Sequence, residues 1–391
     1  MGKSSLCIFK YLFFLAILSL YTSCGKKGCT DPNALNYDSN AKKDDNSCIY
    51  EEFDKKGLLE NLTNNYIIPS IETYQNNIND LDLKVDYFIQ SSTETNLLSL
   101  RNSWVDALLS WQDISFLDFG PAEYILLKSQ TNIFPTDTTL IENNISSGSW
   151  NFDNSNYYDS KGLQALDYLI NKRGVSDIEI ANSFDTSQNA KNYLKAITED
   201  LKTNITYVND QWVNYKNDFI DDYETNSQGS SVSNLVNSLC LHYEFYIRRG
   251  KIGLPLGVFN GFSQQEMPEL VECLHYGESL PFCIRSVSSL NDFINGISYT
   301  NEENGLGLDD YMNFVNAQNE SDQLSTVINN QVDEIIIDLN NLNDPLSQEV
   351  VTNKSSVQSS YQKMQQLVPY LKVDMTSALG VLITYQDNDG D

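Results

Sequence analysis

One apolar stripe between residues 190 and 215 constrains the fold of this chain more than any other feature. Its members recur at steps of three or four residues: Ala190, Leu194, Ile197, Leu201, Ile205, Val208, Trp212 and Tyr215. Because an α-helix has 3.6 residues per turn, this spacing places them all on one face. A helix with one apolar face gains most of its stability by packing that face against other elements. The stripe therefore predicts a long amphipathic helix within a larger core.

Five further segments repeat this spacing and extend the helical prediction over most of the chain. They lie at 59–67, 97–111, 232–246, 324–342 and 350–371. Shorter helices are predicted over 162–170, 268–275 and 287–297, and no segment alternates convincingly between apolar and polar residues. Pro69 should kink the first helix, because proline lacks the N–H that a helix interior requires. The predicted fold class is all-α, with the helices packed in bundles.

The charge balance excludes one class of function. The 391 residues include 53 acidic and 25 basic side chains, which gives a net charge of −28 at pH 7. A nucleic-acid-binding protein needs clustered lysine and arginine to neutralise phosphates, so no nucleic-acid partner is expected. An acidic surface keeps a protein in solution and also attracts cations, and the sequence leaves both interpretations open.

The first residues have the pattern of an export signal. Two lysines precede an apolar run at 11–20, which is too short to span a bilayer. The small residues before Cys24 resemble the bacterial lipobox, so we expect a signal peptide over 1–23 and a lipid on Cys24. The lipid would anchor the protein to a membrane of the cell envelope, and we expect the outer membrane. An ordinary secretory signal that leaves Cys24 as a thiol is the alternative.

Two cysteines enclose a segment that has almost no apolar core of its own. Cys29 and Cys48 border a stretch rich in proline, asparagine and aspartate, and a disulfide between them would restrict its unfolded state. We expect this pair to be bonded, whereas no pairing is predicted for Cys240, Cys273 and Cys283. Residues 24–51 resemble a short module of exported bacterial proteins. It is expected to be a spacer; alternatively, calcium could bind four aspartates, namely Asp31, Asp38, Asp44 and Asp45.

The common catalytic motifs are absent from the sequence. It contains no His-Glu-x-x-His, no phosphate-binding Gly-x-x-x-x-Gly-Lys-Ser/Thr loop and no Gly-x-Ser-x-Gly. Of the two histidines, His242 lies one position off the 232–246 stripe and is expected at the edge of the core. His275 is expected near a helix end, where an imidazolium would suit the helix dipole. The end of the chain, 387–391, looks like the start of a calcium loop but is expected to be a solvated acidic tail.

Several strings, in order along the chain, resemble the imelysin family of exported bacterial proteins. They lie at 58–69, 101–121, 161–169, 251–259, 271–279 and 373–381. The resemblance implies two helical bundles with a cleft between them. A polar linker at 224–231 would divide the bundles, giving ranges of 52–225 and 226–391. Members of the family have been described as metallopeptidases, and others are tied to iron uptake.

The sequence departs from the family where a metal site has been proposed. Members with such a site have a histidine and a glutamate three residues apart, and here those positions hold Gln164 and Asp167. An expected acidic position falls near Ser115, although Asp118 and Glu123 lie close in sequence. Only Asp167 remains as a candidate ligand for iron or zinc, and no catalytic residue is predicted. The resemblance implies cleft positions at Lys161, Gly162, Gln164, Asp167, Lys251, Tyr276 and Ser279.

Three functions are compatible with these observations. The favoured one is a non-catalytic lipoprotein of the cell envelope that binds a ligand linked to iron or haem uptake. One alternative is a metallopeptidase with an altered metal site. The other is a structural accessory lipoprotein of an outer-membrane receptor.

Overall fold

The computed structural model describes residues 25–385. Within this range the chain forms two compact units, one ending at Asp54 and one beginning at Lys55. The predicted signal peptide, the lipidation site at Cys24 and the acidic tail at 387–391 lie outside the described residues. Among residues 25–385, no helix combines the length and the apolar content that crossing a membrane requires.

The small unit is held by the predicted disulfide between Cys29 and Cys48, whose Cα atoms lie 4.7 Å apart. The prediction of this bond is confirmed. Each of the four aspartates accepts a backbone N–H two residues further along the chain, as Asp31 does from Asn33 at 2.9 Å. The carboxylates therefore hold local turns. Calcium binding by this unit stays a prediction.

We expect the helical unit to melt independently of the small unit. Deleting residues 29–48 should change the melting temperature of the helices by less than about 2 °C, since the helical unit has a core of its own. Circular dichroism at 222 nm would measure this. The undeleted protein with its disulfide reduced is the matched control. A decrease of more than about 5 °C after the deletion would contradict the prediction.

The regular secondary structure of the larger unit is helical except for one two-stranded hairpin, which confirms the predicted all-α class. Its first part contains the α-helices α1 (Lys55–Asn61), α2 (Ile68–Gln90), α3 (Glu94–Ile114), α4 (Pro121–Tyr124), α5 (Leu127–Thr131), α6 (Thr138–Ser147), α7 (Gly162–Asn171), α8 (Asp177–Thr186) and α9 (Gln188–Asp221). Its second part contains α10 (Ser231–Leu241), α11 (Leu254–Leu256), α12 (Leu280–Ile294), α13 (Leu308–Phe314), α14 (Leu324–Asn340), α15 (Leu346–Thr352), α16 (Lys354–Pro369) and α17 (Thr376–Leu379).

The remaining elements are short. Three π-helices occur at Leu62–Ile67, His242–Gly253 and Tyr370–Met375, and three 3₁₀ turns at Ser155–Ser160, Gly261–Ser263 and Pro268–Leu270. Strands β1 (Gln318–Asn319) and β2 (Asp322–Gln323) form a small antiparallel hairpin, which the sequence did not predict. The first π-helix runs without a break into α2, so Pro69 lies inside a continuous helix. The carbonyl of Asn65, to which a proline at position 69 cannot donate, accepts the N–H of Tyr299 at 2.8 Å instead.

The helices begin where the sequence supplies capping side chains. The Ser187 side chain accepts the N–H of Ala190 at the start of α9, and Ser230 does the same for Ser233 at the start of α10. Along α9, the stripe from Ala190 to Trp212 is buried. The longest apolar pattern in the sequence thus forms the longest helix of the described residues.

The helices pack in two groups that meet at α3 and α12. Helices α2, α3, α7 and α9 form one group, and the His242–Gly253 π-helix packs with α12 and α16, which both pack on α14. Where α3 meets α12, the buried carboxylate of Asp113 accepts two hydrogen bonds from Arg285, one of them 3.0 Å long. Ser289 and Tyr299 donate to the same carboxylate. The two groups form one compact unit, and the boundary proposed near residue 225 stays a prediction.

The predicted helix over 268–275 is wrong. The chain makes a 3₁₀ turn at Pro268–Leu270 and then runs irregularly to the start of α12. Cys273 has a φ of 58°, which no helix allows. The backbone here is fixed by side chains from α7.

Candidate functional site

Two side chains of helix α7 accept hydrogen bonds from the backbone of the irregular loop. The two carboxylate oxygens of Asp167 accept the N–H groups of His275 at 3.0 Å and Tyr276 at 2.8 Å. The Gln164 side-chain oxygen accepts the N–H of Cys273 at 2.9 Å. Gln164 and Asp167 lie three residues apart on α7, so both side chains face the loop. Together they join the first helix group to the loop that precedes α12.

Burial makes Asp167 an unusual carboxyl group. Loss of solvent raises its pKa to about 7, and the charge of Glu272 acts in the same direction. The hydrogen bonds from His275, Asn171 and Tyr276 oppose this increase only in part. Near neutral pH the group is therefore close to its titration midpoint. A carboxyl group in this state can either donate or accept a hydrogen bond.

A buried ion pair lies directly behind this loop. The Glu272 carboxylate accepts a hydrogen bond from the Lys251 ammonium and another from Asn132 at 2.7 Å. The side-chain oxygen of Gln112 accepts from Lys251 at 3.0 Å and from Ser286 at 2.7 Å. This network connects α3, the second π-helix and α12, so it fixes the two helix groups at their junction.

A cavity of about 250 Å³ opens beside the loop. Its lining residues are Phe134, Pro135, Thr136, Thr138, Gln164, Asp167, Glu269, Val271, Leu274 and His275. The lining is mostly apolar, and its polar groups are two hydroxyls, an amide, two carboxyl groups and an imidazole. Such a combination is typical of a small-molecule pocket, in which few polar groups orient the ligand.

The structure places the predicted cleft residues at different depths. Gln164 and Asp167 line the pocket. Lys251 does not line it, and its ammonium donates a hydrogen bond to the carboxylate of Glu272. Tyr276 gives its N–H to Asp167, and its ring lies edge-on to Trp104 at a centroid distance of 5.3 Å. Ser279 is buried and donates to the backbone carbonyl of Glu272 at 2.5 Å.

Lys161 and Gly162 do not line this pocket. The Lys161 ammonium is buried 2.9 Å from the carboxylate of Asp200 and also donates to the Phe152 carbonyl at 3.0 Å. Gly162 has a φ of 78°, and a Cβ atom there would lie 2.3 Å from the carbonyl oxygen of Thr131. Only glycine fits at that position. Both residues fix the start of α7, which positions Gln164 and Asp167.

The imidazole of His275 is neutral, whereas the sequence predicts a charged imidazolium. Burial, together with the positive charges of Arg173 and Lys172, lowers its pKa to about 4. Its Nδ1 atom accepts the N–H of Arg173 in a long contact of 3.5 Å, and its ring lies edge-on to Tyr168. The expectation of an imidazolium at a helix end fails because no helix ends there and the neighbouring charges are positive.

His242 is also neutral, and it is buried rather than at the edge of the core. Its Nε2 atom lies 3.0 Å from the Ser115 hydroxyl, which occupies the expected acidic position. Burial and the nearby cations lower the His242 pKa well below its usual value. Asp118, a possible substitute, lies 3.1 Å from the buried Lys128 ammonium, and Glu123 is exposed. Neither Asp118 nor Glu123 lines the pocket of Asp167.

The residues at this site do not fit a transition metal. Iron and zinc prefer imidazole, thiolate and carboxylate ligands, and zinc sites use at least three from the protein. The oxygens of Gln164 and Asp167 already accept backbone N–H groups from the loop. Within residues 25–385, no three histidine, cysteine, aspartate or glutamate side chains are grouped for metal binding.

Fold and site together define a helical protein in which two groups of helices meet at a buried polar network beside a small pocket. The family described as imelysin (peptidase M75) matches residues 67–372, and the chain belongs to that family. No curated protein matches it.

Two solved structures have the same fold. A putative iron-regulated protein A precursor from Parabacteroides distasonis is 16% identical with a TM-score of 0.69, covering 83% of this chain and 95% of that one. An imelysin-like protein from Psychrobacter arcticum is 15% identical with a TM-score of 0.64, covering 85% of this chain and 97% of that one. At these identities the similarity concerns the fold.

Proposed function

We propose that this protein is a non-catalytic binding protein of the cell envelope, whose pocket beside α7 holds a small ligand. One observation carries the proposal: the two residues at the family's metal-motif positions bind the backbone of the 273–276 loop. They build the wall of a pocket instead of presenting free ligands to a metal. The pocket is of a size suited to a small molecule or to part of a larger one.

A role linked to iron or haem uptake is supported by the family and by one structural neighbour. The Parabacteroides structure carries the description of an iron-regulated protein. Export and lipid anchoring are supported by the apolar run at 11–20 and by the small residues before Cys24. In this proposal the lipid holds the protein at the membrane and the pocket retains the ligand there.

Apart from Glu269, whose side chain is exposed, the polar groups of the pocket suit a ligand with few charges. Near neutral pH the His275 imidazole is uncharged, and the Asp167 carboxyl group is close to its titration midpoint. Both can exchange hydrogen bonds with a ligand at little electrostatic cost. The charges of Glu272 and Lys251 already compensate each other behind the loop.

Calorimetry with metal ions tests the non-catalytic character of the site. We expect the unmodified protein to bind neither Zn²⁺ nor Fe²⁺ tightly. Gln164→His adds an imidazole beside Asp167 and should raise the affinity for Zn²⁺ by about tenfold or more. Gln188→His is the matched control, because it adds an imidazole at an exposed position on α9.

The opposite result would favour the metallopeptidase. That result is tight, stoichiometric Zn²⁺ binding by the unmodified protein that is lost in Asp167→Ala but kept in the Gln188→His control. Peptide cleavage that depends on the metal would then establish the enzyme.

A further inference from the structure

A groove of about 410 Å³ adjoins the pocket, and His275 lines both. One wall is the face of α3 that carries Leu98 and Arg101. The other walls come from the turn between α7 and α8, with Lys172 and Arg173, and from Tyr276. The function proposed above does not use this groove.

The groove is positively charged in a strongly acidic protein. The whole chain has 53 acidic and 25 basic residues, yet three cations and one carboxylate line the groove: Arg101, Lys172, Arg173 and Asp177. Basic side chains therefore outnumber acidic ones in the groove, whereas acidic side chains outnumber basic ones in the chain as a whole. A concave site of one charge concentrates ligands of the opposite charge.

The three cations differ in their partners. Arg101 lies 2.8 Å from the carboxylate of Asp177, and Lys172 lies 2.7 Å from that of Glu142. The Arg173 side chain is exposed and forms no ion pair or hydrogen bond with any residue of the described range. Its guanidinium is therefore available, and this planar group can donate two parallel hydrogen bonds to one acidic group.

The groove also has apolar walls. Leu98 is 57% exposed, which is unusual for a large apolar side chain on a packed helix. Val105 and Val175 line the same groove and are partly exposed. An apolar wall beside an unpaired arginine suits a ligand that has both an apolar body and an acidic group.

We propose that this groove binds an organic anion with an apolar body. The acidic group, a carboxylate or a phosphate, is held by the Arg173 guanidinium with Lys172 beside it. The apolar body lies against Leu98, Val105 and Val175. This site does not require that the pocket beside Asp167 binds anything, so it stands or fails separately from the proposed function.

Titration calorimetry with 1-naphthoate and 1-naphthyl phosphate tests the proposal, with the neutral 1-naphthamide as the matched ligand. We expect saturable binding of at least one anion, weaker binding at high salt, and at least about tenfold weaker binding of the amide. Tighter binding of the carboxylate or of the phosphate would identify the acidic group that the groove prefers.

Variants locate the binding in the groove. Arg173→Gln should lower the affinity for the anion by about tenfold. Arg173→Lys retains the charge and should lower the affinity less. Leu98→Glu introduces a negative charge at an exposed position of the groove and should abolish binding. Lys216→Gln, which removes a positive charge from α9 outside the groove, should have no effect.

Three results would overturn the proposal. They are the absence of saturable binding for both anions, equal binding of the amide, and equal affinities of the unmodified protein, Arg173→Gln and Leu98→Glu. All variants change partly or fully exposed side chains, and their melting curves would confirm that they fold.

Discussion

Replacing Lys251 with methionine should lower the free energy of unfolding by about 3–5 kcal/mol. Lys251 and Glu272 are both buried, and the lysine ammonium is the cation bonded to the Glu272 carboxylate. Methionine has a similar length but no charge, so the variant leaves a buried carboxylate with only the amides of Gln112 and Asn132. Urea denaturation followed by circular dichroism would measure the loss.

Two controls separate this effect from a general loss of charge. Lys56→Met breaks an exposed ion pair with Asp221 and should have a much smaller effect. The double variant Lys251→Met/Glu272→Gln removes both buried charges and should recover part of the lost stability. If Lys251→Met were no less stable than Lys56→Met, the buried pair would not fix the junction of the helix groups.

Stability should also depend on the titration of Asp167. Its pKa in the folded protein is about 7, compared with an ordinary value of 3.8. Below pH 4 the Asp167 carboxyl group is protonated in both the folded and the unfolded state, and its contribution to the free energy of unfolding is fully present. Between about pH 4 and pH 7 the unfolded chain loses this proton while the folded protein keeps it. The contribution should therefore decrease as the pH rises, by up to about 1.4 kcal/mol per pH unit.

Asp167→Asn isolates this titration from the many other carboxylates of the chain. The variant cannot ionise at residue 167, so the difference in unfolding free energy between the two proteins reports on Asp167 alone. We expect this difference to change in favour of the variant from pH 4 to pH 7 and to be constant above about pH 8. A change in the opposite direction would mean that the hydrogen bonds from His275 and Tyr276 outweigh burial.

The sequence predicts the long helices well because their signal is local. The stripe that starts at Ala190 depends only on the helical repeat, and it forms the buried face of α9. The prediction is less accurate after Leu241. The expected stripe continues to Tyr246, but that side chain is 42% exposed and Ile247 is buried. A π-helix begins at His242, so an α-helical repeat assigns the wrong face from there on.

The site is less predictable because its residues are far apart in the chain. The resemblance located Gln164 and Asp167, since they belong to one short motif. It did not identify Gln112 or Asn132, which contact Glu272 over separations of 160 and 140 residues. No local pattern connects such partners. The sequence assigns the irregular loop to a helix for the same reason, because side chains of α7, distant in the chain, fix its backbone.

The π-helix at His242–Gly253 gives the site a tolerance for a change of chain length. Each of its hydrogen-bonded rings encloses one residue more than a ring of an α-helix does. A one-residue deletion before Lys251 is therefore absorbed when one π turn becomes an α turn. The residues that follow keep their orientation, so Lys251 still faces Glu272. In an α-helix the same deletion would rotate Lys251 by about 100° and separate the buried charges.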